Sequence, residues 1–499
     1  MTVVLRSLRN VRLGSAPADA PHVDIGIDGG VIRSIGPAGS LAGPLGTADL
    51  DGTCLIAFPG FVNAHAHSNE MFEQGSCDGE PLEVWLALAY PPLGGDAIPV
   101  RWHYLRAMML ALRSLRSGVT ALHDDFLNPA GDDAALQAVL DAYDHAGLRA
   151  RVAVTLSDRG YLDGLPSARS VFDPGLSGRL DATPPRNVEA QFDVFHRARH
   201  ALSARGNARL GLSLGPRGPQ RCTPALLRRV ADTAAAQAVP VHMHVLESRT
   251  QAVTAQQQYG RSFIEVLDEA GLLGPSLAMN HAVWLTDADI ERIARRGARV
   301  VHNPLSNFKL ASGLCPVKRL LAAGIDVAIG TDGAATGDSV DYLDSLRMAS
   351  LVHKLDPDTA HPAPDAARLV RMATADGTAT MGNAAIAGEI AVGRAADITL
   401  LDARDLAFVP LHDPRRQLCF AATSSAVHTV VVDGQVVFAD GRATRIDEAA
   451  LRDEIAEAAE HFRRDVFAQR GAGGPVIDAV RRVLAHASAK RSPFPFPLS

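Results

Sequence analysis

The sequence contains very little lysine and cysteine. Lysine occurs four times in 499 residues, against 45 arginines, and the first is Lys309. The five cysteines are widely spaced and form no Cys-x-x-Cys pair, so neither a disulfide framework nor a thiolate zinc site is expected. No run of about 18 apolar residues occurs, which argues against a membrane-spanning helix.

Basic charge is not concentrated anywhere either. The net charge is −6 and the arginines are scattered, which argues against a nucleic-acid-binding surface. Arginines within the first ten residues interrupt any apolar segment that could serve as a signal peptide, so we expect a cytoplasmic protein. With 47% hydrophobic and 21% charged residues, the composition is that of an ordinary globular enzyme or binding protein.

The pattern of apolar and polar residues changes three times along the chain. Residues 1–58 have the pattern of short β-segments, the first at Thr2–Leu5. The same pattern returns in residues 386–445, beginning with Gly388–Leu401. Between them, residues 59–385 alternate short apolar runs with amphipathic helices, which predicts an α/β fold with a closed (β/α)₈ TIM-type barrel. We expect the two β-rich ends to pack into one small β-sandwich domain, and residues 446–499 to form a helical tail.

A His-x-His pair ends the first apolar run of the predicted barrel. His65 and His67 are two residues apart, so on a strand they share one face. Imidazole is the commonest metal ligand in proteins at neutral pH. The pair alone is weak evidence, and the argument depends on what ends the other strands.

The strand predicted over Val239–Val245 carries a second such pair. His242 and His244 share a face, and Glu247 follows three residues after His244, where a carboxylate could move protons to and from reacting atoms. The alternative makes His242 a filler of the strand and Glu247 an acid at a helix N-terminus.

Two further strands end in residues of the same kind. The strand that begins at Ala278 ends at His281. Asp332 follows the apolar run Asp326–Ile329, although Asp332 could also be a turn residue before Gly333. In a barrel the carboxyl ends of all strands meet at one mouth, where such residues are typically catalytic. Together they supply three imidazoles and a carboxylate for a first-row divalent metal.

The motifs around these residues resemble those of the amidohydrolase superfamily. The similarity is to its aminohydrolase branch, which includes guanine deaminases, methylthioadenosine/adenosylhomocysteine deaminases and triazine hydrolases, and it extends over about residues 1–440. The matching segments are Pro59–His67, His244–Glu247, His281–Thr286, His302–Asn307, Gly330–Gly333 and Gly388–Asp397.

This resemblance implies a role for each polar residue. The metal ligands would be His65, His67, His244 and Asp332. Glu247 would be a proton shuttle, His281 would stabilise the hydroxide and the tetrahedral centre, and Asp332 would also accept the proton of the water. The expected ion is one Zn²⁺, although Fe²⁺ or Mn²⁺ would accept the same ligands. Binuclear members use a carbamylated lysine, and none precedes Lys309, so a mononuclear site is favoured unless a carboxylate bridges.

Three residues are predicted to contact the substrate: Glu70, Trp85 and Arg217. Guanine deaminases have a Pro-Arg at the place of Arg217, where the arginine meets an oxo group, and a ring-binding glutamine at the place of Glu70. The alternatives are a surface ion pair for Arg217, a solvated acid for Glu70 and a core tryptophan for Trp85. His302 is expected behind the ligands, and His123-Asp124-Asp125 is the remaining polar group at a strand end.

The predicted function is a metal-dependent aminohydrolase that acts on carbon–nitrogen bonds in cyclic amidines. Its substrates would be water and a small amino-substituted nitrogen heterocycle, such as an oxo-purine or pterin, from which ammonia is released. One alternative removes chloride or an alkylamine from a triazine-like ring, and another is a metal-binding scaffold without activity. No nucleic-acid or membrane partner is expected, and a homodimer is common in such families.

Overall fold

The computed structural model describes residues 3–41, 43–93, 98–128, 131–356, 358–382 and 386–489. The strands, in chain order, are β1 (Ser7–Leu13), β2 (Val23–Asp28), β3 (Val31–Pro37), β4 (Asp49–Asp51), β5 (Leu55–Pro59), β6 (Phe61–His67), β7 (Val119–Asp124), β8 (Arg149–Leu156), β9 (Leu210–Pro216), β10 (Val241–Val245), β11 (Leu277–His281), β12 (Arg299–His302), β13 (Val327–Ile329), β14 (Asp332–Gly333), β15 (Ile398–Asp402), β16 (Val427–Val432), β17 (Gln435–Ala439) and β18 (Arg442–Ala443).

Helices follow most barrel strands and also form the C-terminal segment. In chain order they are α1 (Leu82–Ala89), α2 (Val100–Arg116), α3 (Asp133–Ala146), α4 (Ala168–Val171), α5 (Pro174–Asp181), α6 (Val188–Arg205), α7 (Pro224–Gln237), α8 (Arg249–Tyr259), α9 (Phe263–Glu269), α10 (Asp287–Arg296), α11 (Pro304–Lys309), α12 (Val317–Ala322), α13 (Tyr342–Leu351), α14 (Ala366–Ala373), α15 (Ala375–Thr380), α16 (Pro414–Phe420), α17 (Glu448–Ala472) and α18 (Gly474–Ala489).

Strands β6 to β14 form a parallel sheet that closes on itself. Neighbours pair in chain order from β6 to β13, and β14 returns to β6, with Asp332 opposite Ala66 and Gly333 opposite His67. β13 and β14 are two halves of one eighth strand, interrupted at Gly330. A Cβ at Gly330 would lie 2.8 Å from the His65 Cβ, so the close approach of these chain segments requires glycine. The predicted (β/α)₈ barrel is confirmed.

The remaining strands form a mixed sheet from both ends of the chain, in the order β18-β17-β16-β15-β5-β1-β2-β3, with β4 beside β1. Its own hydrophobic core includes Leu8, Ile25, Ile32, Leu400 and Val431. This confirms the predicted α/β fold with a sandwich domain built from both termini, while the boundaries at residues 58, 385 and 445 stay predictions.

Two β-segments differ from the prediction. The first strand is β1 rather than Thr2–Leu5; Thr2 lies outside the described residues, and Val4 forms only an isolated bridge to Gln435. Within Gly388–Leu401 only the part from Ile398 onwards is strand, because Gly388 and Gly393 have φ angles of 95° and 90° and turn the chain.

The C-terminal helices pack against the barrel. Val476, Val480 and Val483 of α18 share an apolar cluster with Val84 and Ala87 of α1. Residues 490–499 of the predicted tail lie outside the described residues. Among the helices that the structure describes, none is long and apolar enough to cross a membrane.

Candidate metal centre and active site

The carboxyl ends of four barrel strands bring the predicted polar residues together. β6 supplies His65 and His67, β10 supplies His244, β11 ends at His281, and β14 begins with Asp332. Asp332 and His281 have positive φ angles of 61° and 70°, an uncommon conformation for residues other than glycine. Such backbone conformations are concentrated at functional sites, where the surrounding structure holds them.

The ligating atoms of these side chains face one another at similar distances. His67 Nε2 lies 3.3 Å from His244 Nε2 and 3.2 Å from Asp332 Oδ1, and His65 Nε2 lies 3.4 Å from the same oxygen. Zinc–nitrogen bonds of 2.0–2.1 Å give a tetrahedron with edges of about 3.3 Å. The cluster is therefore of the right size to hold a divalent metal.

Each of the three imidazoles is held through its other nitrogen. His65 Nδ1 is 2.8 Å from His242 Nε2, His67 Nδ1 is 2.8 Å from the Asp125 carbonyl oxygen, and His244 Nδ1 is 3.3 Å from Asp125 Oδ2. All three Nε2 atoms are left directed at the same point. His65 Nε2 is buried and, apart from its ion-pair contact with Asp332, has no hydrogen-bond partner among the described residues.

The electrostatics of the cluster also suit a cation. Burial lowers the pKa of His65 to about 3 and that of His244 well below its usual value, so both are neutral, as metal ligands must be. Burial alone would lower the pKa of His67, but contacts with Asp332 and the charge of Glu70 outweigh it and raise that pKa. The carboxylates thus favour a positive charge at this point.

Glu247 and His281 lie beside the cluster, as a pair. Glu247 Oε1 is 3.7 Å from His281 Nδ1, and His281 Nε2 is 3.8 Å from Asp332 Oδ2. Burial and the neighbouring charge of Asp332 raise the pKa of Glu247 well above its usual value. His281 is oriented by Asn307 Oδ1, 2.8 Å from its Nδ1. Asn307 was not singled out from the sequence, although it ends the His302–Asn307 motif.

Comparison with known proteins decides the family. A family model described as "Amidohydrolase family" matches residues 56–437. The chain belongs to this family.

The relatives of this amidohydrolase are enzymes of the predicted branch. It is 32% identical over 448 residues to a 5-methylthioadenosine/S-adenosylhomocysteine deaminase of Desulforudis audaxviator, covering 89% of this chain and 95% of the relative. An adenosine deaminase from Xanthomonas campestris with bound zinc has a TM-score of 0.80 and 26% identity, over 92% of this chain and 98% of that one. An atrazine chlorohydrolase from Arthrobacter aurescens TC1 complexed with zinc has a TM-score of 0.78 and 25% identity, over 91% and 99%.

These findings confirm the predicted enzyme class. The amidohydrolase is a metal-dependent hydrolytic deaminase that cleaves carbon–nitrogen bonds in cyclic amidines. The cluster of histidine and aspartate side chains is able to hold its metal ion.

Glu70 and Trp85 are joined through a residue that the sequence did not single out. The Tyr90 hydroxyl donates a hydrogen bond to Glu70 Oε1 (3.2 Å), and the Tyr90 ring meets Trp85 edge-on at 5.8 Å. The Ala335 amide donates to Glu70 Oε2, and a Cβ at Gly333 would collide with this carboxyl group. Burial raises the pKa of Glu70 to about 8. Glu70 is therefore not a solvated loop acid, and its glycine neighbour makes room for it.

Arg217 lies near the same mouth but is held differently. Its backbone amide donates to the Leu156 carbonyl, whereas its guanidinium forms no hydrogen bond or ion pair with the residues that the structure describes. Burial lowers the pKa of Arg217, against the opposing charge of Asp125. Five N–H donors are thus left for another molecule. This arrangement is not the surface ion pair that was the alternative.

His302 is fully buried beside the cluster rather than in it. Its Nε2 lies 3.2 Å from His353 Nε2. Two groups of side chains have ligating atoms close enough to hold a metal, and His302 is in neither; they are His65, His67, Asp125 and His244, and His65, His281 and Asp332. The role of His302 behind the ligands stays a prediction.

Proposed function

We propose that this amidohydrolase binds one Zn²⁺ ion and releases ammonia from an amino-substituted nitrogen heterocycle. The proposed ligands are His65, His67, His244 and Asp332. Two observations carry the proposal. Three contacts of 3.2–3.4 Å link the donor atoms, His67 with His244, His67 with Asp332 and His65 with Asp332. The second nitrogen of every imidazole is engaged elsewhere. When bound, such an ion lowers the pKa of a coordinated water to about 7 and so supplies a nucleophile at neutral pH.

The protein groups around the reacting carbon would move the protons. Asp332 is ionised, because contacts with His65 and His67 outweigh the effect of burial and lower its pKa, so it can accept a proton from water. Glu247 has a raised pKa and can donate one to a ring nitrogen. His281 contacts the carboxyl groups of Glu247 and Asp332. It would stabilise the charge that develops on the atoms bonded to the attacked ring carbon.

The raised pKa of Glu247 supports ammonia as the leaving group. An amine leaves only after it has gained a proton, whereas chloride leaves as the anion. A buried carboxyl group that holds its proton at neutral pH is therefore most useful to a deaminase. This favours ammonia release over the dechlorination named for the triazine-hydrolysing neighbour.

Arg217 indicates the substituents of the ring. A half-buried guanidinium with free donors suits an oxo group or a carboxylate on the substrate. Glu70 and Trp85 would contact another edge of the ring. The substrate we propose therefore carries an amine on an amidine carbon and an oxygen acceptor elsewhere, as in an oxo-purine, a pterin or an aminopurine nucleoside with a carboxylate.

The test is ammonia release by zinc-reconstituted protein from a panel of compounds. The panel contains 5-methylthioadenosine, S-adenosylhomocysteine, adenosine, guanine, a pterin and atrazine, with chloride measured for the last. We expect ammonia from an aminopurine or oxo-purine, and a loss of about 10²- to 10⁴-fold in turnover in Glu247→Gln with its zinc content unchanged. Chloride release without ammonia would show the triazine chemistry, and no product at all would favour the scaffold.

The number of metal ions is testable separately. The barrel strands carry no lysine before Lys309, so a lysine bridge between two ions is missing. We expect one zinc per chain by elemental analysis of the active protein; two per chain would contradict a mononuclear site. The cytoplasmic location and the homodimer stay predictions.

A further inference from the structure

Beneath the proposed metal site, three imidazoles lie one after another inside the barrel. His65 Nδ1 is 2.8 Å from His242 Nε2, and the His242 ring stacks on His123 with centroids 3.8 Å apart. His123 Nε2 is in turn 2.7 Å from Ser213 Oγ. All three histidines have no exposed surface, so neither His242 nor His123 can reach a substrate.

The contact between His65 and His242 restricts where their protons lie. A histidine that binds a metal is neutral, so His65 carries one N–H and one lone pair. A nitrogen–nitrogen distance of 2.8 Å requires one of the two atoms to donate and the other to accept. If His242 donates, the proton of His65 is on Nε2, and that nitrogen cannot bind a metal. If His242 accepts, the proton of His65 is on Nδ1, and the Nε2 lone pair is free.

We propose that His242 is a positioning residue that fixes the tautomer and the ring orientation of His65. The inference rests on the proposed function, in which His65 is a metal ligand. In the metal-binding arrangement the proton of His242 lies on Nδ1, which is buried and makes no hydrogen bond to another described residue.

The choice of an imidazole also sets the charge of the site. Metal-bound histidines usually donate to a carboxylate, a backbone carbonyl or water. A carboxylate in place of His242 would add a buried negative charge and make His65 a stronger electron donor. A neutral acceptor orients His65 without adding charge, so Asp332 remains the one anionic ligand among the four proposed.

The test measures metal affinity rather than turnover. Metal-free protein is titrated with Zn²⁺ against a chromogenic chelator, and the Co²⁺-loaded protein is examined by visible absorption. We expect His242→Leu, which has similar volume but no acceptor, to bind Zn²⁺ about 10- to 100-fold more weakly and to show an altered Co²⁺ spectrum. His242→Gln, whose side-chain oxygen can accept from His65 Nδ1, should regain most of the affinity.

His123→Leu is the matched control, because it makes the same substitution one imidazole further from the metal. We expect its affinity for Zn²⁺ to stay within about threefold of wild type. Equal affinities for wild type and His242→Leu, or an equal loss in His123→Leu, would overturn the positioning role. If His242→Leu does not fold, His242→Asn replaces it, because its amide is too short to reach His65. A Zn²⁺ affinity of His242→Asn as high as that of His242→Gln would also overturn the role. Absence of zinc binding by the wild type would instead refute the proposed function.

Discussion

Breaking the ion pair between Arg149 and Asp397 should destabilise the protein more than most single substitutions. Arg149 begins β8 of the barrel, and Asp397 directly precedes β15 of the sandwich domain. The guanidinium donates to both carboxylate oxygens, at 2.9 and 3.2 Å, and the two side chains are 4% and 2% exposed. The pair is therefore bidentate, desolvated and located at the junction of the two sheets.

The structure allows the cost of breaking this pair to be worked out. Arg149→Met removes the cation and leaves the buried Asp397 carboxylate with one remaining donor, the Asp433 amide at 2.7 Å. Removing one partner of a buried ion pair costs about 3–5 kcal/mol. Since whole domains are stable by about 5–15 kcal/mol, at least about a fifth of the stability is at stake.

Urea unfolding followed by circular dichroism is the assay. We expect Arg149→Met to lose about 3–5 kcal/mol, and the double variant Arg149→Met/Asp397→Asn to lose clearly less, because the uncompensated charge is gone while the amide can still accept from Asp433. A loss below about 1 kcal/mol in the single variant, or a double variant as unstable as the sum of the singles, would refute the reasoning.

Three further predictions concern the site. Arg217→Met should raise KM about 10- to 100-fold for a substrate with an oxo or carboxylate group, without changing zinc content, because a charged hydrogen bond is lost; an unchanged KM in steady-state assays would contradict the role of Arg217. Asp125→Ala should weaken Zn²⁺ binding about 10-fold or more in a chelator titration, since His244 loses its carboxylate contact. Asp125→Asn should weaken Zn²⁺ binding less. Equal losses in the two variants would indicate that Asp125 is itself a ligand. Burial raises the pKa of Glu70 from 4.5 to about 8 in the metal-free protein, so its contribution to folding is complete below pH 4.5 and is lost as the pH rises through about 8. Thermal unfolding should therefore show wild type losing stability relative to Glu70→Gln over that range, and parallel pH profiles would count against it.

Most of the barrel could be read from hydrophobic patterning. Strands such as β8 and β13 are largely apolar runs, and such runs identify buried strands. β1 was missed because its sequence, Ser7–Leu13, places three polar residues among four apolar or small ones and includes Asn10 with φ 55°. Its pairing with both β2 and β5 compensates for that weak local signal, and pairing between distant segments leaves no local pattern.

The site was predictable only as far as its motifs extend. His65, His67 and His244 are recognisable because each ends an apolar strand within a motif. The partners of their second nitrogens are not, since the contact of His65 with His242 joins strands 177 residues apart in sequence. Tyr90, which contacts Glu70, likewise follows a short helix whose direction no local pattern fixes.

The closure of the barrel between β6 and β14 has a consequence for how the chain responds to metal. The proposed ligands His65 and His67 lie on the first barrel strand and Asp332 on the last, and these two strands pair through only two residues of β14. An ion held between them cross-links a short strand pairing and joins chain segments that are far apart in sequence. Because the ion binds the folded protein and not the unfolded chain, it stabilises this pairing and slows local opening. Amide hydrogens of β6 and β14 should then exchange with solvent more slowly in the zinc-bound protein, while those of β8 and β9 on the opposite wall change little.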